Sequence, residues 1–119
     1  MTGTPVDADA LLALAVEVGE EAASLLLDGL QHQRTTVETK SSATDMVTEM
    51  DRRSEALIVE RLLAARPGDG LLGEEGAERP SESGVTWVID PLDGTTNYLY
   101  GYPGFSVSIA AVTAAGTVA

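Results

Sequence analysis

Trp87-Val88-Ile89-Asp90-Pro91-Leu92-Asp93-Gly94-Thr95-Thr96-Asn97 is the stretch on which the reading of this chain turns. The β-branched and aromatic run over 85–89 has the composition of a buried strand. It delivers Asp90 to the strand's C-terminal end, where ligand sites of α/β proteins commonly sit. Pro91 fixes its own φ and disfavours helical geometry at Asp90, so a stiff turn separates Asp90 from Asp93. That turn can aim two carboxylates and the Leu92 carbonyl at one point, a donor set that suits magnesium. Gly94-Thr95-Thr96 then opens a helix whose free N–H groups would seat an anion. A metal beside a phosphate seat is the equipment for phosphoryl transfer to water. Taken alone, Asp-x-x-Asp-Gly is also an ordinary β-turn pattern.

The rest of the composition narrows the chemistry. The 119 residues fit one domain with one modest core. Seven Lys and Arg stand against 19 Asp and Glu, a formal charge of −12, so no basic stripe exists to replace the counterions of a nucleic acid. A hydrophobic share of 44% argues for a folded domain despite the acidity. With no cysteine and with His32 as the single histidine, thiolate and multi-imidazole sites are excluded, which leaves hard, oxygen-ligated cations. The N-terminus lacks a basic segment followed by an apolar core, and no stretch reaches membrane-spanning length, so a soluble cytoplasmic protein is the expectation.

Upstream, Leu11, Leu14, Ala15, Val18, Ala22, Leu25, Leu26 and Leu30 recur at helical spacing, with Glu17, Glu20 and Glu21 opposite. They predict a helix from about Asp7 to Leu30, with Thr4 as N-cap, Pro5 in the first turn and Asp7 at the positive end of the dipole. Residues 31–44 are polar and non-periodic and read as a loop or irregular hairpin. A second helix is expected from Thr48, with Asp51 completing a Thr-x-x-Asp cap, Met50, Leu57, Ile58, Leu62 and Ala65 facing inward, and Pro67-Gly68 ending it. Leu71-Leu72-Gly73 is a short apolar run leading to Glu74-Glu75. Residues 76–84 read as a flexible connection, 105–112 as a strand, and 116–119 as the start of another.

These blocks together resemble the signature of the inositol monophosphatase family, within the lithium-sensitive, magnesium-dependent sugar-phosphatase superfamily. Lys40-Ser41-Ser42 with Asp45-Met46-Val47-Thr48 and Asp51 is similar to its N-terminal segment, and Gly73-Glu74-Glu75 to its acidic turn. Trp87 to Tyr98 is similar to its core motif, and Tyr102-Pro103 with Phe105-Ser106-Val107-Ser108-Ile109 to the strand that follows. The resemblance implies an α/β fold, a layered αβαβα sandwich of which this chain supplies an α+β opening part, helices first and then strands of the first sheet, ending on an exposed edge. It also implies roles. Glu74 would be a ligand shared by catalytic Mg2+ ions, Asp90 would bridge two of them, and the Leu92 carbonyl would complete one shell. Asp93 would bind the second ion and touch substrate. Gly94, Thr95 and Thr96 would hold the phosphate, Thr95 and Asp51 would orient the attacking water, and Glu75 would be an acid behind the ligands. Lys40 would sit in a loop bordering the metal. The substrate would be a small phosphorylated polyol, inositol monophosphate before histidinol phosphate or another sugar phosphate, and the full-length protein would be a homodimer.

Each residue also has a plainer reading. Asp51 is equally a helix cap, Glu74-Glu75 an exposed charge pair, Lys40 a solvated lysine and His32 an exposed helix-end residue. Trp87 is expected to pack in the core, and Tyr98, Tyr100 and Tyr102 to cover the motif or pack at an interface. The family's second half brings a further metal-binding aspartate in a Trp-Asp motif, whereas no Asp or Glu follows Asn97 here. The 119 residues, whether a fragment or a shortened product, are therefore expected to catalyse weakly or not at all alone. The alternative is an inactive cation-binding relative or subunit.

Overall fold

The computed structural model describes residues 7–36, 40–99 and 104–119, and within these the side chains other than those of residues 32–36, 40–44, 96 and 99. Helix α1 spans Ala8–Thr36. Asp7 is its cap: the carboxylate accepts the Ala10 N–H at 3.1 Å. Thr4 and Pro5, expected in that role, lie outside the described residues. Leu11, Ala15, Val18, Ala22, Leu26 and Leu30 are buried, the periodic face expected, while Leu14 and Leu25 are half-buried at its margin. Glu17, Glu20 and Glu21 are exposed.

Helix α2 spans Lys40–Ala65, so most of the segment expected as a loop is helical. Residues 31–44 contain no Gly or Pro, and extending an existing helix needs only one residue fixed per hydrogen bond. Polarity without periodicity therefore did not mark residues 31–36 and 40–44 as non-helical. The helical start eight residues before Thr48 places Thr48 and Asp51 inside α2, so neither caps it. Val47, Met50, Ser54, Glu55, Ile58 and Leu62 are buried, Leu57 is half-buried, and Ala65 is exposed because it is the last helical residue. Arg66 N–H still donates to the Leu62 carbonyl at 2.8 Å before Pro67-Gly68 turns the chain. No described helix is long and apolar enough to cross a membrane.

The helices cover one face of a mixed sheet formed by β1 (Gly70–Gly73), β2 (Glu78–Arg79), β3 (Thr86–Asp93), β4 (Ser106–Thr113) and β5 (Gly116–Thr117), in the order β2-β1-β3-β4-β5. Only β1 and β3 run parallel, with Leu71 opposite Trp87 and Gly73 opposite Ile89. Strand β2 lies within the segment expected as a connection, and β5 is the edge expected after β4. Strand β3 continues beyond Ile89. Its register runs Asp90 to Ser108 and then Asp93 to Ser106, three residues advanced on β3 for two on β4. The expected turn at Pro91 is therefore a bulge within a strand. A bulge is where a sheet tolerates a residue that cannot donate a hydrogen bond.

Alternation along β3 sends Trp87 and Ile89 into the core with Leu11, Val18, Ile58, Leu62 and Val85. Val88 and Leu72 point to the opposite, uncovered face, 39% and 53% exposed. A second cluster joins Leu26, Leu30, Val47, Met50, Leu92 and Tyr98. It anchors the short helix α3 (Thr95–Leu99): the Tyr98 hydroxyl donates to the Leu26 carbonyl at 2.7 Å and its ring meets Phe105 edge-on at 5.0 Å. Burial pushes the Tyr98 phenol up to about 12. Tyr100 and Tyr102 lie outside the described residues.

Trp87 is fully buried and carries an indole N–H that needs an acceptor. Asp69, 1% exposed, supplies it. Its carboxylate accepts Trp87 Nε1 at 2.8 Å and the Ser83 hydroxyl at 2.6 Å, and pairs with Arg66. One carboxylate thus ties the end of α2, the loop before β3 and the core together. Asp69→Ala removes the acceptor of three donors, the buried Trp87 indole N–H among them, and is expected to cost about 3 kcal/mol in urea unfolding. An unchanged midpoint would refute that role.

Candidate active site

One face of α2 builds the site. Asp51, Ser54, Glu55 and Ile58 follow at i, i+3, i+4 and i+7, the spacing that stacks side chains on one side of a helix. Ile58 enters the core. The Ser54 hydroxyl, fully buried, donates to the Pro91 carbonyl at 2.8 Å and so fastens the β3 bulge. Glu55 is 5% exposed, and its two carboxylate oxygens accept the N–H groups of Glu75 and Ala77, each at 3.2 Å. The turn so held links β1 to β2 and is closed by Gly73 N–H donating to the Ala77 carbonyl at 2.7 Å, with Gly76 at φ +106°. Glu74 and Glu75 project from it, both exposed.

The β3 bulge presents the other acids. Asp90 is half-buried, and its Oδ1 accepts the Leu92 N–H at 3.3 Å, which curls the carboxylate over the bulge. Leu92 buries its side chain in the second cluster, while Asp93 beside it is exposed. Gly94 has φ +82°, and a Cβ there would lie 2.7 Å from the Gly104 carbonyl oxygen, so both conformation and space demand glycine. Thr95, exposed, opens α3. The side chains of Thr96, Lys40 and His32 lie outside the described residues.

Electrostatics shows how closely the two segments meet. Burial, and after it the negative charges of Glu75, Asp90, Glu74 and Glu55, push the Asp51 carboxyl up from 3.8 to about 6. Four of the acids singled out in the sequence, Asp51, Glu74, Glu75 and Asp90, thus share one electrostatic neighbourhood. Asp93 does not figure among the charges acting on Asp51. Among the described residues no three carboxylate or imidazole side chains stand close enough to form a ready-made cation cage. The donor chemistry fits a hard divalent cation nonetheless: the acids are all oxygen donors, they repel one another, and Glu74 and Asp93 are exposed.

Sequence reasoning missed Ser54 and Glu55. Their signal was the i+3 and i+4 spacing from Asp51 along an inner face otherwise apolar. It was unreadable while the helix was taken to begin at Thr48, which made Asp51 a cap.

In sequence and fold the chain is similar to known proteins. The inositol monophosphatase family model matches residues 7–119. The inositol-1-monophosphatase SuhB of Mycobacterium tuberculosis is 50% identical over 93 residues, covering 70% of this chain and 32% of that protein. A histidinol-phosphatase of Chlorobaculum parvum is 44% identical over 99 residues, covering 83% of this chain and 38% of its own length. The crystal structure of extragenic suppressor protein suhB from Bartonella henselae superposes with a TM-score of 0.76 at 34% identity, over 91% of this chain and 41% of that one. This chain therefore spans about a third of the length of these curated relatives.

The raised Asp51 carboxyl has a direct consequence for stability. The folded state holds this proton more tightly than the unfolded chain does, so the contribution is fully present below 3.8 and is lost as pH rises through about 6. In magnesium-free buffer, Asp51→Asn is expected to match the parent chain in urea midpoint near pH 4 and to become the more stable of the two as pH rises to 7. A difference that does not change with pH would contradict the raised Asp51 carboxyl.

Proposed function

The chain belongs to the inositol monophosphatase family, and from that premise we propose that its acidic pole is the N-terminal share of a magnesium-dependent phosphomonoesterase site. The observation that carries the reading is the gathering of Glu75, Asp90 and Glu74 around Asp51, whose negative charges add to burial in raising the Asp51 carboxyl to about 6. Repulsion of this kind costs folding free energy, and a cation relieves it. Glu74, Asp90, Asp93 and the Leu92 carbonyl would hold Mg2+, which when bound polarises a phosphoryl oxygen and acidifies water. Gly94, Thr95 and Thr96 hold the phosphate through N–H and hydroxyl groups. The Thr95 hydroxyl and the Asp51 carboxylate orient a water for in-line attack on phosphorus. The ester P–O bond breaks, the water oxygen stays on phosphate, and its proton leaves with the alcohol. Glu75 stands behind the ligands and keeps the site negative.

The proposed substrate is inositol monophosphate or a close phosphorylated polyol. The support is that the relative at 50% identity is named an inositol-1-monophosphatase, and the one named a histidinol-phosphatase stands at 44%. Lithium inhibition, a cytoplasmic location and a homodimer of the full-length enzyme belong to the same proposal. A cation-binding subunit without turnover is the second reading, favoured by the chain spanning only about a third of those relatives.

Calorimetric titration with Mg2+ at neutral pH tests the site. The 119-residue chain is expected to bind, and Asp90→Asn to weaken binding by more than about 100-fold, beyond the loss that an outer-shell substitution causes. Equal binding by the two would remove Asp90 from the site. Phosphate release from inositol monophosphate, measured with a complementary C-terminal half of the family supplied, separates the enzyme, which is expected to turn over only with that half, from the cation-binding subunit, which stays inactive with it.

A further inference from the structure

We propose that Glu55 and Gly73 act together as a positioning clamp that sets the affinity of the Glu74-Glu75 turn for a divalent cation. The proposal rests on the reading of Glu74 as a cation ligand and names residues that would act through it.

Glu55 is a buried carboxylate whose placement needs a reason, since burying an acid without compensation is costly. Among the described residues, none of the ion pairs includes it; they join Arg61 to Glu21 and Glu60, and Arg66 to Asp69. Its compensation is the backbone of the acidic turn. One oxygen takes the Glu75 N–H and the other the Ala77 N–H, contacts that span 20 and 22 residues of sequence. Only a carboxylate offers an acceptor to both; a glutamine would turn an NH2 group toward one of the two donors.

Gly73 makes the contact possible. A Cβ at this position would lie within 2.7 Å of the Glu55 carboxyl carbon and closer still to Oε1. Gly73 is not among the positive-φ glycines, so its smallness is required by the room the Glu55 side chain occupies and not by backbone conformation. Glycine and glutamate are two halves of one contact.

The contact fixes distance as well as fold. Glu55 sits one helical turn after Asp51 and one residue after Ser54, which holds the bulge carrying Asp90. The two acidic segments are therefore referenced to the same stretch of α2. Without the clamp, the backbone beneath Glu74 relaxes away from Asp51 and Asp90 under their mutual repulsion, and a cation must then draw it back. That reorganisation appears as lost affinity. A strut with no part in the site would lower stability alone.

The test compares the 119-residue chain with Glu55→Gln, Gly73→Ala and the double variant, each shown to be folded by circular dichroism. Mg2+ affinity is measured by calorimetry, and amide hydrogen exchange at Glu75 and Ala77 by NMR without metal. Each single variant is expected to speed exchange at both amides and to weaken Mg2+ binding by about tenfold, the effect typical of lost outer-shell support. The double variant is expected to be no weaker than the worse single one, because both changes remove the same contact. Fast exchange with unchanged affinity in Glu55→Gln would make Glu55 a strut only and overturn the proposal. Unchanged exchange would show that no clamp exists. If Gly73→Ala does not fold, Glu55→Gln decides alone. A parent chain that binds no Mg2+ would overturn the cation reading of Glu74 itself, a failure visible before any variant is compared.

Discussion

Two negatively charged backbone segments must be held side by side, and a single face of α2 holds them. Ser54 fastens the β3 bulge through the Pro91 carbonyl, and Glu55 fastens the β1–β2 turn through two N–H groups. Asp51 sits one turn earlier and feels the charges on both. The attachment is rigid because the next turns of the same face, Ile58 and Leu62, are fully buried against Trp87, Ile89 and α1. Apolar burial below the site thus provides the platform, and hydrogen bonds at its rim supply the placement. The charge repulsion is local and opposed by both. Placing the acids on a helix, a strand bulge and a turn fastened to that helix gives more exact positioning than loops alone would.

The sequence made the apolar architecture legible. The buried stripe of α1, the buried face of β3 and the stop at Pro67-Gly68 all follow from periodicity and breakers, which depend on neighbours along the chain. Residues 31–36 and 40–44 are helical although their polarity reads as a loop, because the stretch holds no Gly or Pro to exclude a helix. The bulge at Pro91 was misread as a turn because its extra residue is defined only by the pairing of Asp90 and Asp93 with Ser108 and Ser106 on β4. Strand β2 is two residues long and exists through its pairing with Leu71 and Leu72.

The acids Asp51, Glu74, Glu75 and Asp90, which share one neighbourhood, are all among those the family resemblance singles out. Their supports are not. Ser54, Glu55 and Asp69 are polar residues at buried positions, which pattern reasoning assigns to the surface. Each is buried because its partner lies elsewhere: Pro91 for Ser54, Glu75 and Ala77 for Glu55, and Trp87 and Ser83 for Asp69. A partner tens of residues away leaves no mark on local composition. Buried polar residues whose partners are distant are where sequence reading fails and where folds set up their sites.

Without a cation the site is under tension, since burial and then the charges of neighbours that the fold will not release hold the Asp51 proton to about pH 6. The proposed role of the gathered acids is to bind a divalent ion. Anomalous diffraction from crystals soaked in Mn2+, an oxygen-seeking substitute for Mg2+, tests this most directly. A strong peak is expected between the Glu74 turn and the Asp90 bulge, beside Asp51. Fully loaded crystals with no peak there, or with manganese only at unrelated surface acids, would contradict it.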